Sequence, residues 1–220
     1  MTLVKICGIK DESRLATAIE AGADRVGFVL APASPRAVDF KTAARLAELA
    51  AAAGREAWVV AAWSVSGGPS ITDLDAFLLD TPAIAAVQLH GRETPADLAD
   101  FRIRAPGRRI VKAIGVSVAS DLEQLGAYPQ ADAYLLDARP PIGAAREGGF
   151  GKPFDWRLLL GFRPTKPWVL SGGLTAETVR EAIEITGARE VDVSSGVETS
   201  PGVKDPAKIR AFVAAAKAGG

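Results

Sequence analysis

The stretch Leu3-Val4-Lys5-Ile6-Cys7-Gly8-Ile9 is a short, β-branched run that ends in a cysteine and a glycine. Largely apolar runs without regular polar alternation are typical of strands that are covered on both faces. Seven further runs of this kind follow it at fairly even spacing. The eight predicted strands are 3–7, 25–30, 57–63, 85–89, 109–114, 133–137, 167–171 and 191–194.

Amphipathic segments lie between these strands, with apolar residues at the three- and four-residue spacing of a helix. The segment at 175–186 opens with the capping-box-like Thr175-Ala176-Glu177-Thr178, and the segment at 206–217 begins with Pro206. Both features are favoured at helix N-termini. Strands that alternate with helices predict an α/β fold with a parallel sheet. The predicted helices are 13–21, 42–53, 73–79, 95–104, 121–125, 175–186 and 206–217.

Two architectures fit this alternation, a closed (β/α)8 barrel and an open, doubly wound sheet. No G-x-G-x-x-G follows the first strand, which disfavours a dinucleotide-binding fold. Because eight strand–helix units fit closure, we predict a single-domain (β/α)8 TIM barrel over residues 1–220, with its active site at the C-terminal ends of the strands. The longest predicted loop, 139–153, is rich in Gly and Pro, and its length indicates a binding loop.

Composition excludes several classes of protein. With 26 basic and 26 acidic residues among 220, the chain has no electrostatic footprint for nucleic acid or an anionic membrane. Its strongly apolar runs reach about seven residues, whereas a membrane-spanning helix needs roughly 20. A single cysteine cannot form an internal disulfide, which is typical of a cytoplasmic protein. With one histidine and one cysteine, the chain has too few ligands for a Cys/His metal site. We therefore expect a soluble, cytoplasmic protein with no metal, no nucleic-acid partner and no membrane partner.

Two strand-end residues are candidates for acid–base chemistry. Cys7 ends the first predicted strand beside Gly8, and Asp137 ends the sixth. A cysteine is more often a small buried hydrophobe, and a strand-end aspartate often starts a turn or caps a helix. At the mouth of a barrel, however, cationic surroundings would increase the thiolate fraction of Cys7. Desolvation there would raise the pKa of an aspartate and allow it to act as an acid.

Two glycine-rich segments follow the seventh and eighth strands, the place where (β/α)8 barrels bind phosphate. Gly172 and Gly173 follow the seventh strand, and Ser195 and Gly196 follow the eighth. Glycine is also common in turns that bind nothing, but backbone N–H groups in such loops can bind an anion. Their paired occurrence at these two strand ends favours phosphate binding.

Two further loop residues have less specific signals. Arg36 follows the second strand in Ser34-Pro35-Arg36, where it is either simply solvated or a donor to a carboxylate or phosphate. His90 follows the fourth strand, and a lone histidine is usually a structural hydrogen-bonding residue. We therefore treat His90 as a residue in or just behind the site.

Together these positions resemble the phosphoribosylanthranilate isomerase family, cofactor-free (β/α)8 enzymes of tryptophan biosynthesis. The resemblance runs in order along the whole chain, and its K-I-C-G-I and D-V-S-S-G-V-E stretches are the specific ones. The matching stretches are Val4-Lys5-Ile6-Cys7-Gly8-Ile9, Gly22-Ala23-Asp24 with Val26-Gly27-Phe28-Val29, Ser34-Pro35-Arg36, Val87-Gln88-Leu89-His90-Gly91, Leu135-Leu136-Asp137, Gly149-Phe150-Gly151-Lys152-Pro153-Phe154-Asp155-Trp156, Leu170-Ser171-Gly172-Gly173-Leu174 and Val191-Asp192-Val193-Ser194-Ser195-Gly196-Val197-Glu198.

The resemblance implies an Amadori rearrangement of N-(5′-phosphoribosyl)anthranilate, a phosphorylated aminosugar, without metal or organic cofactor. It implies that Cys7 is the general base, that Asp137 is the general acid and that Arg36 binds the anthranilate carboxylate. Phosphate would be bound by main-chain groups around two glycine loops, at Gly172, Gly173, Ser195 and Gly196. The assembly would be a monomer or a homodimer.

One segment departs from the family pattern. After the third strand the family usually reads like G-V-F-V-N, whereas this chain has Ala62-Trp63-Ser64-Val65-Ser66. Two other functions remain open at the level of the residues. One is a different sugar-phosphate barrel, although a metal-dependent epimerase needs several His and Asp ligands. The other is a barrel that binds phosphate without catalysis, for which Cys7 and Asp137 would have no use.

Overall fold

The computed structural model describes residues 1–62, 68–139 and 153–218. Within them, eight parallel strands form a closed barrel in chain order, so that β8 pairs with β1. This confirms the (β/α)8 barrel and excludes the open sheet. The strands are β1 (Leu3–Cys7), β2 (Arg25–Val29), β3 (Glu56–Ala61), β4 (Ile84–Leu89), β5 (Arg109–Val116), β6 (Ala133–Ala138), β7 (Trp168–Leu170) and β8 (Glu190–Val193).

Six α-helices cover the outside of the barrel in the described parts of the chain. Several of these helices are preceded by an N-cap residue whose side chain accepts a hydrogen bond from the backbone of the first turn, such as Asp39 at α2 and Ser70 at α3. Such N-caps satisfy N–H groups that would otherwise lack a partner. The helices are α1 (Glu12–Glu20), α2 (Phe40–Ala52), α3 (Ile71–Asp80), α4 (Pro95–Arg104), α5 (Val179–Thr186) and α6 (Pro206–Lys217).

Two of the predicted helices were wrong in type or extent. The segment predicted at 121–125 belongs to a 3₁₀ helix, Ala119–Ala127. There the Asp121 carboxylate accepts hydrogen bonds from the backbone of Ser117 and Val118, which fixes a tight turn in place of an α-helix. The helix predicted over 175–186 begins only at Val179, because Thr175–Thr178 forms a turn in which the Thr178 hydroxyl accepts from the Thr175 amide.

The strands are covered on both faces, as their apolar composition predicts. Side chains of successive residues alternate between the helices and the barrel interior. On β1, Val4 and Ile6 belong to the large apolar core between sheet and helices. Lys5 and Cys7 face the other way: the charged Lys5 lies fully buried inside the barrel, and Cys7 lies above it at the rim. The interior therefore holds charge near its C-terminal rim, where the candidate residues converge.

Other features extend or lie outside the predictions. A small antiparallel pair, β9 (Glu198–Ser200) and β10 (Val203–Lys204), follows β8 and was not predicted. No helix among residues 1–62, 68–139 and 153–218 is long and apolar enough to cross a membrane. Most of the predicted loop 139–153, together with residues 63–66 of the departing segment, lies outside the described residues.

Candidate active site at the C-terminal ends of the strands

The candidate residues meet at one rim of the barrel because parallel strands end on the same side. Cys7 ends β1, Asp137 is the penultimate residue of β6, and His90 directly follows β4. Arg36, from the loop after β2, is also buried at this rim, with only 6% of its surface exposed. In the closed barrel, β7 and β8 lie between β6 and β1. The two glycine loops therefore lie between Asp137 and Cys7.

The Cys7 thiol is buried at the top of the barrel interior. Burial raises its pKa above the usual value and the Asp192 carboxylate adds to this, whereas the ammonium groups of Lys5 and Lys204 oppose the rise. The net effect is a raised pKa of Cys7. The prediction that cationic surroundings would increase the thiolate fraction was therefore wrong, because the cations are present but the desolvation of the thiol outweighs them.

Lys5 is the cation directly beneath Cys7. A Cβ placed on Gly27 would lie 3.1 Å from Lys5 Nζ and 3.0 Å from Cys7 Sγ. The ammonium and the thiol therefore both lie against Gly27. Lys5 Nζ also donates to Asp192 Oδ1 at 2.8 Å and to Gln88 Oε1 at 3.1 Å. Burial lowers the pKa of Lys5, but Asp192 and Cys7 more than offset this, so the net direction is upward. Lys5 thus stays a positive charge in the barrel interior.

Asp137 and His90 form a second cluster. His90 Nε2 lies 3.2 Å from Asp137 Oδ2, and the Ala138 amide donates to Asp137 Oδ1 at 2.8 Å. On its other side, His90 Nδ1 lies 2.8 Å from Gln88 Nε2. His90, which we predict to lie in or just behind the site, therefore directly contacts Asp137, the candidate acid. Gln88, which contacts both His90 and Lys5, links the two clusters.

The Arg36 guanidinium is paired within the protein. Its Nε and Nη2 donate to the two carboxylate oxygens of Glu198 at 2.8 and 2.7 Å. Lys204 Nζ donates to the same carboxylate at 2.8 Å. Burial raises the pKa of Glu198, but the hydrogen bond from Arg36 and the charge of Lys204 bring it below the usual value. A guanidinium has five N–H groups, and in the described parts of the chain only its Nε and Nη2 are seen paired with a carboxylate, so the edge formed by Nη1 and the second Nη2 hydrogen can serve another acceptor.

The two glycine loops pack against each other and against the acid. Gly172 and Gly173 have φ angles of +87° and +68°, a left-handed conformation that other residues rarely adopt. A Cβ on Gly172 would lie 2.7 Å from Asp137 Oδ1. A Cβ on Gly196 would collide with the backbone oxygen of Leu174, which directly follows the β7 glycines. The glycines therefore allow the loops after β7 and β8 to approach the rim closely, with Ser195 opening a 3₁₀ turn there.

Sequence reasoning missed five polar residues that hold the candidate groups. They are Lys5, Gln88, Asp192, Glu198 and Lys204. A signal for Lys5 was available, because a charged residue stands two positions before Cys7 in an apolar strand, and so on the same face. Its partner Asp192 lies directly opposite on β8, but that pairing follows from barrel closure, which the sequence only predicts.

No group of three His, Cys, Asp or Glu side chains in the described parts of the chain is arranged to hold a metal ion. What the rim does contain is a thiol, a carboxyl with a histidine, an arginine and two close glycine loops. That arrangement is typical of (β/α)8-barrel enzymes that carry out acid–base chemistry on phosphorylated substrates.

Comparison with known proteins gives the family. The model of the N-(5′-phosphoribosyl)anthranilate (PRA) isomerase family matches residues 4–215. The N-(5′-phosphoribosyl)anthranilate isomerase of Paracoccus denitrificans is 49% identical over 98% of this chain and 97% of its own. The chain therefore belongs to the N-(5′-phosphoribosyl)anthranilate isomerase family, and it is an isomerase of that class.

Solved structures agree with this assignment. Monomers generated from the dimeric enzyme of Thermotoga maritima superpose with a TM-score of 0.81 at 34% identity, over 99% of this chain and 100% of that one. A structure of a phosphoribosyl anthranilate isomerase in complex with reduced 1-(o-carboxyphenylamino)-1-deoxyribulose 5-phosphate has a TM-score of 0.81 at 33% identity, over 99% of this chain and 100% of that one.

Proposed function

We propose that this chain converts N-(5′-phosphoribosyl)anthranilate to 1-(2-carboxyphenylamino)-1-deoxyribulose 5-phosphate, with Asp137 as general acid and Cys7 as general base. The observation that carries the proposal is the placement of these two residues at strand ends on either side of the β7 and β8 glycine loops. A phosphate held by those loops would fix the sugar between the two groups. Holding reacting groups in position in this way lowers a barrier substantially.

The proposed reaction needs one acid and one base. Asp137 donates its proton to the ring oxygen as the bond from that oxygen to C1′ breaks, and the nitrogen lone pair forms an iminium ion with C1′. The Cys7 thiolate then removes the proton from C2′, and the electron pair forms a C1′–C2′ double bond while neutralising the iminium nitrogen. The resulting enolamine tautomerises to the ketose: C1′ gains a proton and the C2′ hydroxyl loses one. The iminium is the electron sink, so no cofactor is required.

Lys5 and the Arg36 pair would support these steps. The Lys5 ammonium beneath Cys7 stabilises the thiolate, since an adjacent positive charge favours the anionic form. Glu198 holds Arg36 by one edge of the guanidinium, so a ligand carboxylate would be bound by the remaining edge. We assign that edge to the anthranilate carboxylate, and the main-chain groups around Gly172, Gly173, Ser195 and Gly196 to the phosphate.

The test is direct conversion of the substrate. Purified protein is mixed with phosphoribosylanthranilate, and the loss of its anthranilate-type fluorescence is followed with and without EDTA. We expect isomerisation that persists in the chelator. Loss of activity in EDTA that a divalent ion restores would contradict the cofactor-free mechanism. Binding of the substrate analogue without any turnover would favour the alternative of a non-catalytic sugar-phosphate-binding barrel.

Arg36→Met is expected to raise KM at least about tenfold with a smaller effect on kcat. A carboxylate contact is present before and after the chemistry, and the loss of such uniform binding raises KM. One charge-assisted hydrogen bond contributes about 1.5–3 kcal/mol, which corresponds to tenfold or more in affinity. Arg180→Met is the matched control, because Arg180 is exposed on α5, where its guanidinium pairs with Glu184. A collapse of kcat at unchanged KM would show that Arg36 has another role.

The cellular and oligomeric context completes the proposal. We place the enzyme in the cytoplasm, in tryptophan biosynthesis, with a small phosphorylated substrate as its partner and no nucleic acid or membrane. The related enzyme from Thermotoga maritima is dimeric, and a monomer or homodimer remains the prediction for this chain. That a single domain spans residues 1–220 likewise remains a prediction.

A further inference from the structure

A continuous chain of polar contacts crosses the top of the barrel interior and ends at Asp137. Lys5 Nζ donates to Asp192 Oδ1 at 2.8 Å and to Gln88 Oε1 at 3.1 Å. Gln88 Nε2 lies 2.8 Å from His90 Nδ1, and His90 Nε2 lies 3.2 Å from Asp137 Oδ2. The chain of contacts therefore starts at a group that can only donate and ends at a carboxyl group.

The donors and acceptors along this chain can be arranged in only one way. The Lys5 ammonium has three donors and no acceptor, so the atom of Gln88 that faces it must be the carbonyl oxygen. The amide nitrogen of Gln88 then faces His90 and donates, so His90 Nδ1 must accept and bears no proton. A neutral imidazole has one N–H, which therefore lies on Nε2 and donates to Asp137 Oδ2.

Burial prevents the arrangement from reversing. Lys5 is fully buried and paired with Asp192, and Gln88 is only 1% exposed. If the Gln88 amide were turned over, its NH₂ group would face the ammonium and its oxygen would accept from His90 Nδ1. Two buried donors would then face each other, one of them charged, and a buried donor left without an acceptor is costly. Lys5 thus determines the orientation of Gln88.

We propose that Gln88, oriented by Lys5, is a positioning residue that holds His90 as its Nε2–H tautomer, so that His90 is a fixed hydrogen-bond donor to the Asp137 carboxyl. The partner of one imidazole nitrogen determines which nitrogen bears the proton. With His90 on Oδ2 and the Ala138 amide on Oδ1, both oxygens of Asp137 are held in place. The catalytic part of this inference rests on the proposed role of Asp137 as the acid; the tautomer does not.

The experiment uses the fact that the chain has one histidine. In ¹⁵N-labelled full-length protein, two-bond ¹H–¹⁵N correlation of the imidazole gives the protonation state of each ring nitrogen of His90 directly. The spectrum is recorded at about pH 8, above the usual pKa of an imidazole. We expect the Nδ1 shift of an unprotonated nitrogen and the Nε2 shift of a protonated one.

Gln88→Glu tests the cause. The new carboxylate can still accept from Lys5, but it offers His90 an acceptor in place of a donor, so Nδ1 should gain a proton. We expect the Nδ1 resonance to move to the protonated position and kcat to fall at least about tenfold with less change in KM, because the contact that orients Asp137 is altered. Gln124→Glu is the matched control: Gln124 is exposed, and both the His90 shifts and kcat should stay as in the wild type.

The outcomes are separable. A protonated Nδ1 in the wild type, or unchanged His90 shifts in Gln88→Glu, overturns the tautomer assignment. A tautomer that changes while kcat does not overturns the positioning role. If Gln88→Glu does not fold, Gln88→Met removes both hydrogen bonds at similar size; the Nδ1 shift should then move towards a tautomer average, and an unchanged shift overturns the inference. Full activity in Asp137→Asn would instead refute the proposed acid, whatever the His90 spectrum shows.

Discussion

Replacing Cys7 by serine is expected to lower kcat by at least about a hundredfold while leaving the affinity for a product analogue nearly unchanged. A serine hydroxyl is similar in size to the thiol but far less acidic, so it cannot supply the anion that removes the C2′ proton. A positioned general base typically contributes about 10²–10⁴-fold to the rate. That range corresponds to roughly 3–5 kcal/mol of barrier. Steady-state kinetics and analogue titration on the folded variant measure both quantities.

The pH profile distinguishes the loss of a base from a packing defect. Burial raises the pKa of Cys7, and Lys5 and Lys204 oppose this only in part, so the neutral thiol predominates near neutral pH. Below that pKa the thiolate fraction grows with pH, and we expect wild-type kcat/KM to increase from neutral towards alkaline pH. The serine variant should lack this rise. Near-wild-type kcat in Cys7→Ser would mean that the thiol only packs.

The fold of Cys7→Ser should be retained. The substitution opens no large cavity, and the new hydroxyl lies beside the Lys5 ammonium, which can donate to it. A thermal unfolding midpoint close to that of the wild type would support this. The kinetic comparison therefore concerns chemistry at the rim and not the stability of the barrel.

The barrel could be predicted from the sequence because its strands and helices are set by local patterns. The helix at Pro95–Arg104 has the predicted bounds, since a capping box at Thr94 and Asp97 and a proline mark its start. The apolar spacing in the 3₁₀ helix Ala119–Ala127 is similar to that of an α-helix. Only the side-chain hydrogen bonds of Asp121 distinguish the two.

From the sequence, the candidate site could be predicted only where a residue's type and its place at a strand end indicate a role. Residue type predicts that Arg36 binds a carboxylate, but its partner Glu198 is 162 residues away along the chain, and their pairing depends on barrel closure. The same holds for Lys5 and Gln88, which lie 83 residues apart. A pKa also depends on such distant neighbours and on burial. For this reason the direction of the Cys7 shift could not be obtained from the cationic residues alone.

Asp137→Asn is expected to lower kcat by at least about a hundredfold, because an amide keeps the shape of the carboxyl but has no proton to give to the ring oxygen. A positioned general acid contributes about 10²–10⁴-fold. The Asn carbonyl oxygen can still accept from the Ala138 amide, as Asp137 Oδ1 does. Its NH₂ group then faces the N–H of His90 Nε2, so one hydrogen bond is lost, but no cavity forms. Substrate turnover and product-analogue affinity are measured on the same preparation.

Asp132→Asn is the matched control, because Asp132 directly precedes β6 whereas Asp137 lies near the C-terminal end of the same strand. The Asp132 carboxylate accepts from the Ile110 amide and from Arg102, so its loss affects stability at the rim opposite the site. We expect Asp132→Asn to unfold at a lower temperature than the wild type with kcat retained. Asp137→Asn should lose kcat while its unfolding temperature stays close to that of the wild type. Equal losses of kcat in both variants would mean that the carboxyl at 137 acts through the fold, and the acid would then have to be another group at the rim.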